Sequence, residues 1–291
     1  MGHRERMQPA KSEIRASFSR AASSYEEHAV IQKRVLEVLE GPLSALSDSK
    51  GAIRRILEIG TGTGLLTRRL SSLLSPEHIF CLDLSPDMLM EARRRLLGTF
   101  GDSAPGQIHY ISADGEALPF PDRASFDLIV SASTFQWFSD LPMAIGQMVG
   151  LLLPGGRLIA LFFSRGTLKE LEEAMNEGLG RNEGHRLLTS TFWSAKELRK
   201  GIEDMAMARG DIALIGLQEF TFTRRYAGLA ELLRAFKQTG TAPSAKRPAT
   251  GHRPLIRTPG MLKRVEEAYM ERFGSIRATY HVLLLDMVRK E

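Results

Sequence analysis

The stretch ILEIGTGTGLLTRRL, residues 56–70, carries glycines at 60, 62 and 64, with Glu58 just ahead of them. An apolar run that meets a glycine turn and then a helical pattern reads as strand, loop and helix. Alternating glycines let the backbone turn sharply and approach a ligand without a Cβ in the way. The helix that follows, from about Leu65, aims its first amides at that ligand. The spacing is E-x-G-x-G-x-G. A dinucleotide fingerprint, G-x-G-x-x-G, places its third glycine one residue later. A phosphate loop needs Gly-Lys-Ser/Thr, which is absent. A carboxylate beside the loop repels a pyrophosphate and suits a cationic or zwitterionic ligand.

Outward from this loop the chain alternates short apolar strands with amphipathic helices. RRILEIG, HIFCLDL, QIHYISAD, SFDLIVSAS and GRLIALFF read as five strands. LLTRRLSSLL, PDMLMEARRRLL and LPMAIGQMVGLL read as helices between them, the last ended by LPGG. Near-continuous apolar strands alternating with helices imply a doubly wound, mostly parallel α/β sheet. Before it, IQKRVLEVLE is helical, and GPLSALSDSKG breaks the pattern. After Phe163 the rhythm changes. TLKELEEAM, SAKELRKGIEDMAM, LAELLRAFKQTG and MLKRVEEAYMERF read as helices, with strands at DIALIGLQEFTFTRRY and ATYHVLLLDMVRK. The Pro-, Thr- and Gly-rich stretch 241–260 reads as a mobile loop.

Acids close three of these strands. Glu58 ends the first. Asp83 ends the second, 19 residues after Gly64, where a carboxylate can accept both hydroxyls of a ribose. Asp114 ends the third and can accept from an adenine amino group. Each alone is as readily a cap or turn former. Together, around one glycine loop, they describe a nucleoside crevice.

The 291 residues are 43% hydrophobic and 25% charged, an ordinary globular balance able to bury a core unaided. A single cysteine, Cys81, excludes an internal disulfide and cysteine-rich zinc sites, and a reducing cytoplasm is the expected home. No metal site is expected. No apolar run is long enough for a membrane span, and the basic N-terminus lacks the apolar core of a signal peptide. The formal net charge is +5, and its surplus gathers at 224–257. That segment holds Arg224, Arg225, Arg234, Lys237, Lys246, Arg247, Arg253 and Arg257 against Glu231. Such a cluster fits either an anionic partner or a solubilising loop. Nucleic acid is a poor fit, because only Tyr226 and Phe236 lie near enough to stack on bases.

ILEIGTGTG, LDLSPDML, ADGEALPF, FDLIVS and LLPGGRL resemble the class I methyltransferases that use S-adenosylmethionine. The resemblance implies a seven-stranded, mostly parallel Rossmann-like sheet. It implies that Glu58 and Gly60 to Gly64, with Thr61, meet the amino acid part of the cofactor. Asp83 would bind the ribose, Asp114 and Gly115 would lie beside the adenine, and Leu84, Met88 and Ser131 would complete the crevice. FSRAASSYEEHAVIQ, TFQW, GTLKEL, LLRAFKQTGTA and ATYHVLLL further resemble the malonyl-acyl-carrier-protein O-methyltransferases of biotin synthesis. That narrower resemblance implies methyl transfer to the free carboxylate of a malonyl thioester on acyl carrier protein, giving the methyl ester that starts pimeloyl synthesis. A class I enzyme acting on another small carboxylate, quinone or natural product shares the same core.

Carboxylic acids are ionised at neutral pH, so this chemistry needs no general base. The protein's task is alignment and exclusion of water. Tyr25 and Trp137 are candidates to line the transfer site, since an aromatic face stabilises a cationic sulfonium. Gln136 shares that wall, and Trp137 is equally readable as a core anchor. Arg165, Arg224, Arg225, Lys237 and His281 are candidates to hold the malonyl carboxylate, each also readable as a solvated surface charge. The 224–257 cluster is a candidate dock for acidic acyl carrier protein. The expected organisation is a helical cap at 1–50 and a cofactor core at 51–164. A helical lid follows at 165–275, with strand six at about 211–223, and a final strand at 276–291.

Overall fold

Strand β1 (Arg55–Ile59) pairs in parallel with β2 (His78–Asp83) on one side and β4 (Phe126–Ala132) on the other. Strand β3 (Gln107–Ser112) extends the sheet beyond β2, and β5 (Leu152–Phe163) extends it beyond β4, all in parallel. In this computed structural model the described residues are 9–47, 53–101, 106–121, 125–180, 187–241, 244–245, 253–254, 256 and 258–290. Strand β6 (Ile212–Arg225) and a two-residue ladder, β7 (Ser244–Ala245) with β8 (Arg253–Pro254), follow in the chain. The last strand, β9 (Arg277–Arg289), runs antiparallel between β5 and β6. The sheet order is therefore β3-β2-β1-β4-β5-β9-β6, seven strands with five parallel.

Helices cover both faces, which is why the strands are apolar on both sides. Ile56 and Leu57, adjacent in β1 and both 0% exposed, enter separate hydrophobic clusters on opposite faces. One face carries α5 (Leu65–Leu74) and α6 (Pro86–Phe100), and the other carries α7 (Leu141–Gly150). The N-terminal helices α1 (Lys11–Ala21), α2 (Tyr25–His28), α3 (Val30–Leu36) and α4 (Glu40–Ser47) lie on the α5 side. Leu39 and Leu43 from this segment are at most 1% exposed within the first cluster. Truncating either to alanine should destabilise by about 2–5 kcal/mol. Helices α8 (Lys169–Gly178), α9 (Ala195–Arg209), α10 (Leu229–Gln238) and α11 (Pro259–Phe273) surround the β6–β9 half.

The structure corrects two local readings. GPLSALS does not break the helix: α3 passes through a 3-10 turn at Glu37–Leu39 into α4, which contains Pro42. Proline is tolerated there because first-turn amides have no intrahelical acceptor to lose. LPGG is not a loop before the fifth strand. It lies inside β5, with Gly155 at φ +78° where the register with β4 shifts. Strand six runs from Ile212 to Arg225, within the DIALIGLQEFTFTRRY segment. Most of the expected 241–260 loop, including Lys246, Arg247, Arg257 and the side chain of Arg253, lies outside the described residues.

Candidate functional site

The glycine loop folds over the end of β2. Gly60 and Thr61 donate their amides to the Leu82 carbonyl at 2.7 and 3.1 Å. Gly60 sits at φ +75°, and a Cβ there would fall 1.8 Å from Thr134 Oγ1, so no side chain fits. Gly62, at φ +57°, has no heavy atom within 4 Å of where its Cβ would point, leaving an open cradle. Its amide donates to Asp83 Oδ2 at 2.8 Å, and the Ser85 amide donates to Asp83 Oδ1 at 2.8 Å. Each carboxylate oxygen keeps lone pairs for a diol. Burial pushes the Asp83 carboxyl up to about 6, against the pull of the Ser85, Gly62 and Leu84 amides. Gly64 caps α5.

Glu58 lies near the end of β1. It is 1% exposed beneath the loop, and its Oε2 accepts from Thr67 Oγ1 of α5 at 2.6 Å. Burial, reinforced by the charge of Asp83, raises its carboxyl to about 8 against the Thr67 hydroxyl bond. Its charged form is therefore disfavoured in the free protein. Ser131 is also turned inward: at 1% exposed, its hydroxyl donates to the Ile59 carbonyl at 2.8 Å and steadies the end of β1. Thr61 Oγ1 is buried without a partner among the described residues. Met88 is buried in α6, with its amide on Ser85 Oγ at 3.3 Å.

Helix α1 reaches the end of β3 through Lys11. Lys11 Nζ lies 3.1 Å from Asp114 Oδ1, pairs with Glu116, and sits 5.1 Å from the centroid of the Phe138 ring. Asp114 Oδ1 also accepts from the Glu116 amide at 3.0 Å. Gly115 packs so closely that a Cβ would meet Ile59 Cγ2 and Phe138 Cζ at 2.8 Å. Leu84 and α1 residues Lys11, Ser12, Arg15, Ala16 and Ser19 line a cavity beside it. A diol acceptor, an open glycine cradle and an apolar neighbour fit the adenosyl part of S-adenosylmethionine.

The Tyr25 phenol is pushed upward by burial and by the charge of Asp83, so Tyr25 lies near that carboxylate. Next to it, Glu26 is 8% exposed and pairs with Arg68 of α5 at 2.5 Å and Arg95 of α6 at 3.1 Å. Arg95 also holds Glu91 at 2.6 Å. This network ties the cap to two core helices. Glu26→Gln leaves two arginines less compensated and should lower stability by about 1–3 kcal/mol, less than for a fully buried pair because the arginines keep some solvent. Urea unfolding measures this, and an unchanged midpoint would mean the cap is held elsewhere.

A chain of rings leads away from Tyr25. Phe18 lies 6.5 Å from Tyr25 and 5.7 Å from Trp137, edge-on, and Trp137 lies 6.4 Å from Phe192. Phe18 opens the FSRAASSYEEH motif, yet the sequence reading did not single it out. Trp137 and Phe192 then enter an apolar cavity walled also by Phe163, Tyr226, Phe236 and Tyr280. Gln136 lines it too, with Nε2 donating to the Ser133 carbonyl at 2.7 Å, so its amide shapes the wall.

Of the five cationic candidates, Arg224 lines this cavity. Its guanidinium carbon is 4.7 Å from the Tyr226 ring centroid, and Nη2 is 3.9 Å from Glu231 Oε1. The Tyr226 and Tyr280 hydroxyls meet at 2.8 Å. Strand alternation separates the others. Arg225 is exposed, while His281 lies on the opposite face from Tyr280, against Gly166. Lys237 is exposed, and Arg165 is engaged by Glu197 at 3.0 Å.

A profile of the methyltransferase domain matches residues 57–160. The chain is 32% identical to the malonyl-[acyl-carrier protein] O-methyltransferase of Geobacter sulfurreducens over 93% of its length and 96% of that protein's. It is 32% identical to the enzyme of the same name from Halorhodospira halophila, covering 93% of this chain and 85% of that one. Among solved structures, YcgJ of Bacillus subtilis superposes with a TM-score of 0.57 at 17% identity, covering 86% of this chain and 97% of that one. That likeness establishes the fold alone.

Proposed function

We propose the reaction from one premise: this chain belongs to the malonyl-[acyl-carrier protein] O-methyltransferase family. It is an S-adenosylmethionine-dependent O-methyltransferase that methylates the free carboxylate of malonyl carried on acyl carrier protein, a step of biotin synthesis. When bound, S-adenosylmethionine supplies the methyl group from its sulfonium.

Asp83 holds the ribose hydroxyls, and the open cradle at Gly62 admits the rest of the donor. Tyr25, Phe18 and Trp137 offer ring faces along the route from Asp83 to the acceptor cavity and keep water from the reacting atoms. Arg224 offsets the loss of hydration when the malonyl carboxylate enters the apolar cavity. The carboxylate is ionised already, so no side chain has to take a proton. The observation that carries this reading is the placement of Arg224. Among the described residues it is the one Arg or Lys lining the cavity that Trp137 helps to wall, and Trp137 meets Phe18, which meets Tyr25.

We assign 1–50 as the cap, 51–164 as the cofactor core, 165–275 as the acceptor cover and 276–291 as the closing strand. Exposed Arg225, Arg234 and Lys237 suit the docking of an acidic carrier protein, favouring encounter and orientation more than affinity. No helix among the described residues is long and apolar enough to cross a membrane. A cytoplasmic location agrees with the lone buried thiol of Cys81.

The test supplies methyl-labelled S-adenosylmethionine with malonyl-acyl carrier protein, malonyl-CoA and acetyl-CoA. Label should appear as a base-labile ester on the malonyl thioesters and not on acetyl-CoA. Label on a different acceptor, with none on either malonyl thioester, overturns the assignment.

A further inference from the structure

Two hydrogen-bonding groups in the cavity wall are buried without a partner among the described residues: the indole Nε1 of Trp137 and the hydroxyl of Thr189. More than nine in ten buried polar groups in native proteins are bonded, because an unbonded one is costly. Two such groups in one mainly apolar cavity point to polar atoms that arrive with a ligand. The turn at Leu188–Thr191 sharpens the contrast. Ser190 Oγ donates to the Leu187 carbonyl at 2.7 Å, and Thr191 Oγ1 donates to the Leu188 carbonyl at 2.7 Å. The Thr189 hydroxyl, just before these two, makes no such bond.

An indole N–H can only donate, so its partner is an acceptor oxygen. A malonyl thioester carries acceptors at both ends of one methylene: the carboxylate and the thioester carbonyl. Trp137 is the cavity residue in edge contact with Phe18. Resting on the malonyl reading above, we infer that Trp137 Nε1–H donates to the non-reacting carboxylate oxygen and that Thr189 Oγ1 donates to the thioester carbonyl. The other carboxylate oxygen is left free to attack the methyl carbon. Arg224 supplies charge, and the two neutral groups supply orientation. An acetyl thioester offers the carbonyl but no second acceptor, so this pair also selects the acyl group.

Thr189→Val is nearly isosteric and removes only the hydroxyl. It should raise KM for malonyl-acyl carrier protein about tenfold, the scale of one lost buried hydrogen bond. The Tm of the free protein should stay level or rise, because no bond of the empty protein is lost, and the Kd for S-adenosylmethionine should not change. Thr189→Ser should restore the wild-type KM. Trp137→Phe should raise KM further while keeping an aromatic ring. A lower Tm with unchanged KM in Thr189→Val would make the hydroxyl structural and overturn the inference, as would unchanged values of both. Wild-type protein that transfers no methyl to malonyl-acyl carrier protein overturns the functional reading itself, and this inference with it.

Discussion

Asp83→Asn is expected to weaken S-adenosylmethionine binding about a hundredfold, the combined scale of two hydrogen bonds to a charged acceptor. The wild-type protein should also show a pH dependence that the variant lacks. The free Asp83 carboxyl is pushed up to about 6 by burial. Ribose hydroxyls donate to its ionised form, so binding is complete above that pH and weakens as pH falls through it. At pH 5 only about one carboxyl in ten is ionised, giving roughly tenfold weaker binding than at pH 7.5. Folding has the opposite sign at this residue. A carboxyl raised above its unfolded value opposes folding when ionised, so its contribution to stability is lost as pH rises through about 6. The residue that binds the donor is thus a liability to the empty protein. Calorimetric titration of both proteins from pH 5 to 7.5 decides the matter. Equal affinities, or a wild-type affinity flat across that range, would remove Asp83 from the ribose.

Arg224→Met should lower kcat/KM on malonyl-acyl carrier protein about a hundredfold or more, because it leaves a carboxylate in an apolar cavity without its cation. Methionine keeps much of the length and packs on Tyr226, so the cavity wall survives. The Kd for S-adenosylmethionine should stay at the wild-type value. Arg224→Lys should recover only part of the loss, since an ammonium lacks the planar fork of the guanidinium that sits 4.7 Å from the Tyr226 ring centroid. Arg225→Met, on the other face of the same strand, should slow encounter with the carrier protein and do little to malonyl-CoA. A similar loss for both variants on both thioesters would mean that Arg224 acts through general surface charge.

The strand and helix rhythm of residues 53–163 was legible because buried parallel strands and amphipathic helices leave different apolar periods. Pro42 misled because a proline reads as a breaker unless its place in the first turn is known. The choice among Arg224, Arg225, Lys237, Arg165 and His281 was not made from sequence, although part of it was available there. In FTFTRRY, Phe220, Phe222 and Arg224 alternate with Thr221, Thr223 and Arg225, so the two arginines had to face opposite sides. What alternation cannot say is which side holds the cavity. That depends on β9 lying beside β6 and bringing Tyr280 to Tyr226. The pairing of Lys11 with Asp114 joins residues 103 positions apart and leaves no local mark in the sequence. The burial of Glu58 was not legible for a related reason: a conspicuous acid beside a glycine loop gives no sign that Thr67 will bond it from α5.

The position of β9 between β5 and β6 also orders how the chain is made. On the ribosome, β1 to β5 and their helices emerge first and can pair in parallel as they appear. The 14 residues of β6 come next, with no neighbour in the sheet until β9 is translated. For that interval β6 is an unpaired edge, the kind of segment that invites aggregation or a chaperone. The donor crevice can therefore be assembled on the nascent chain while the acceptor cavity still lacks Tyr280. Synthesis that stalls between β6 and β9 should leave a polypeptide able to take up S-adenosylmethionine and unable to use it.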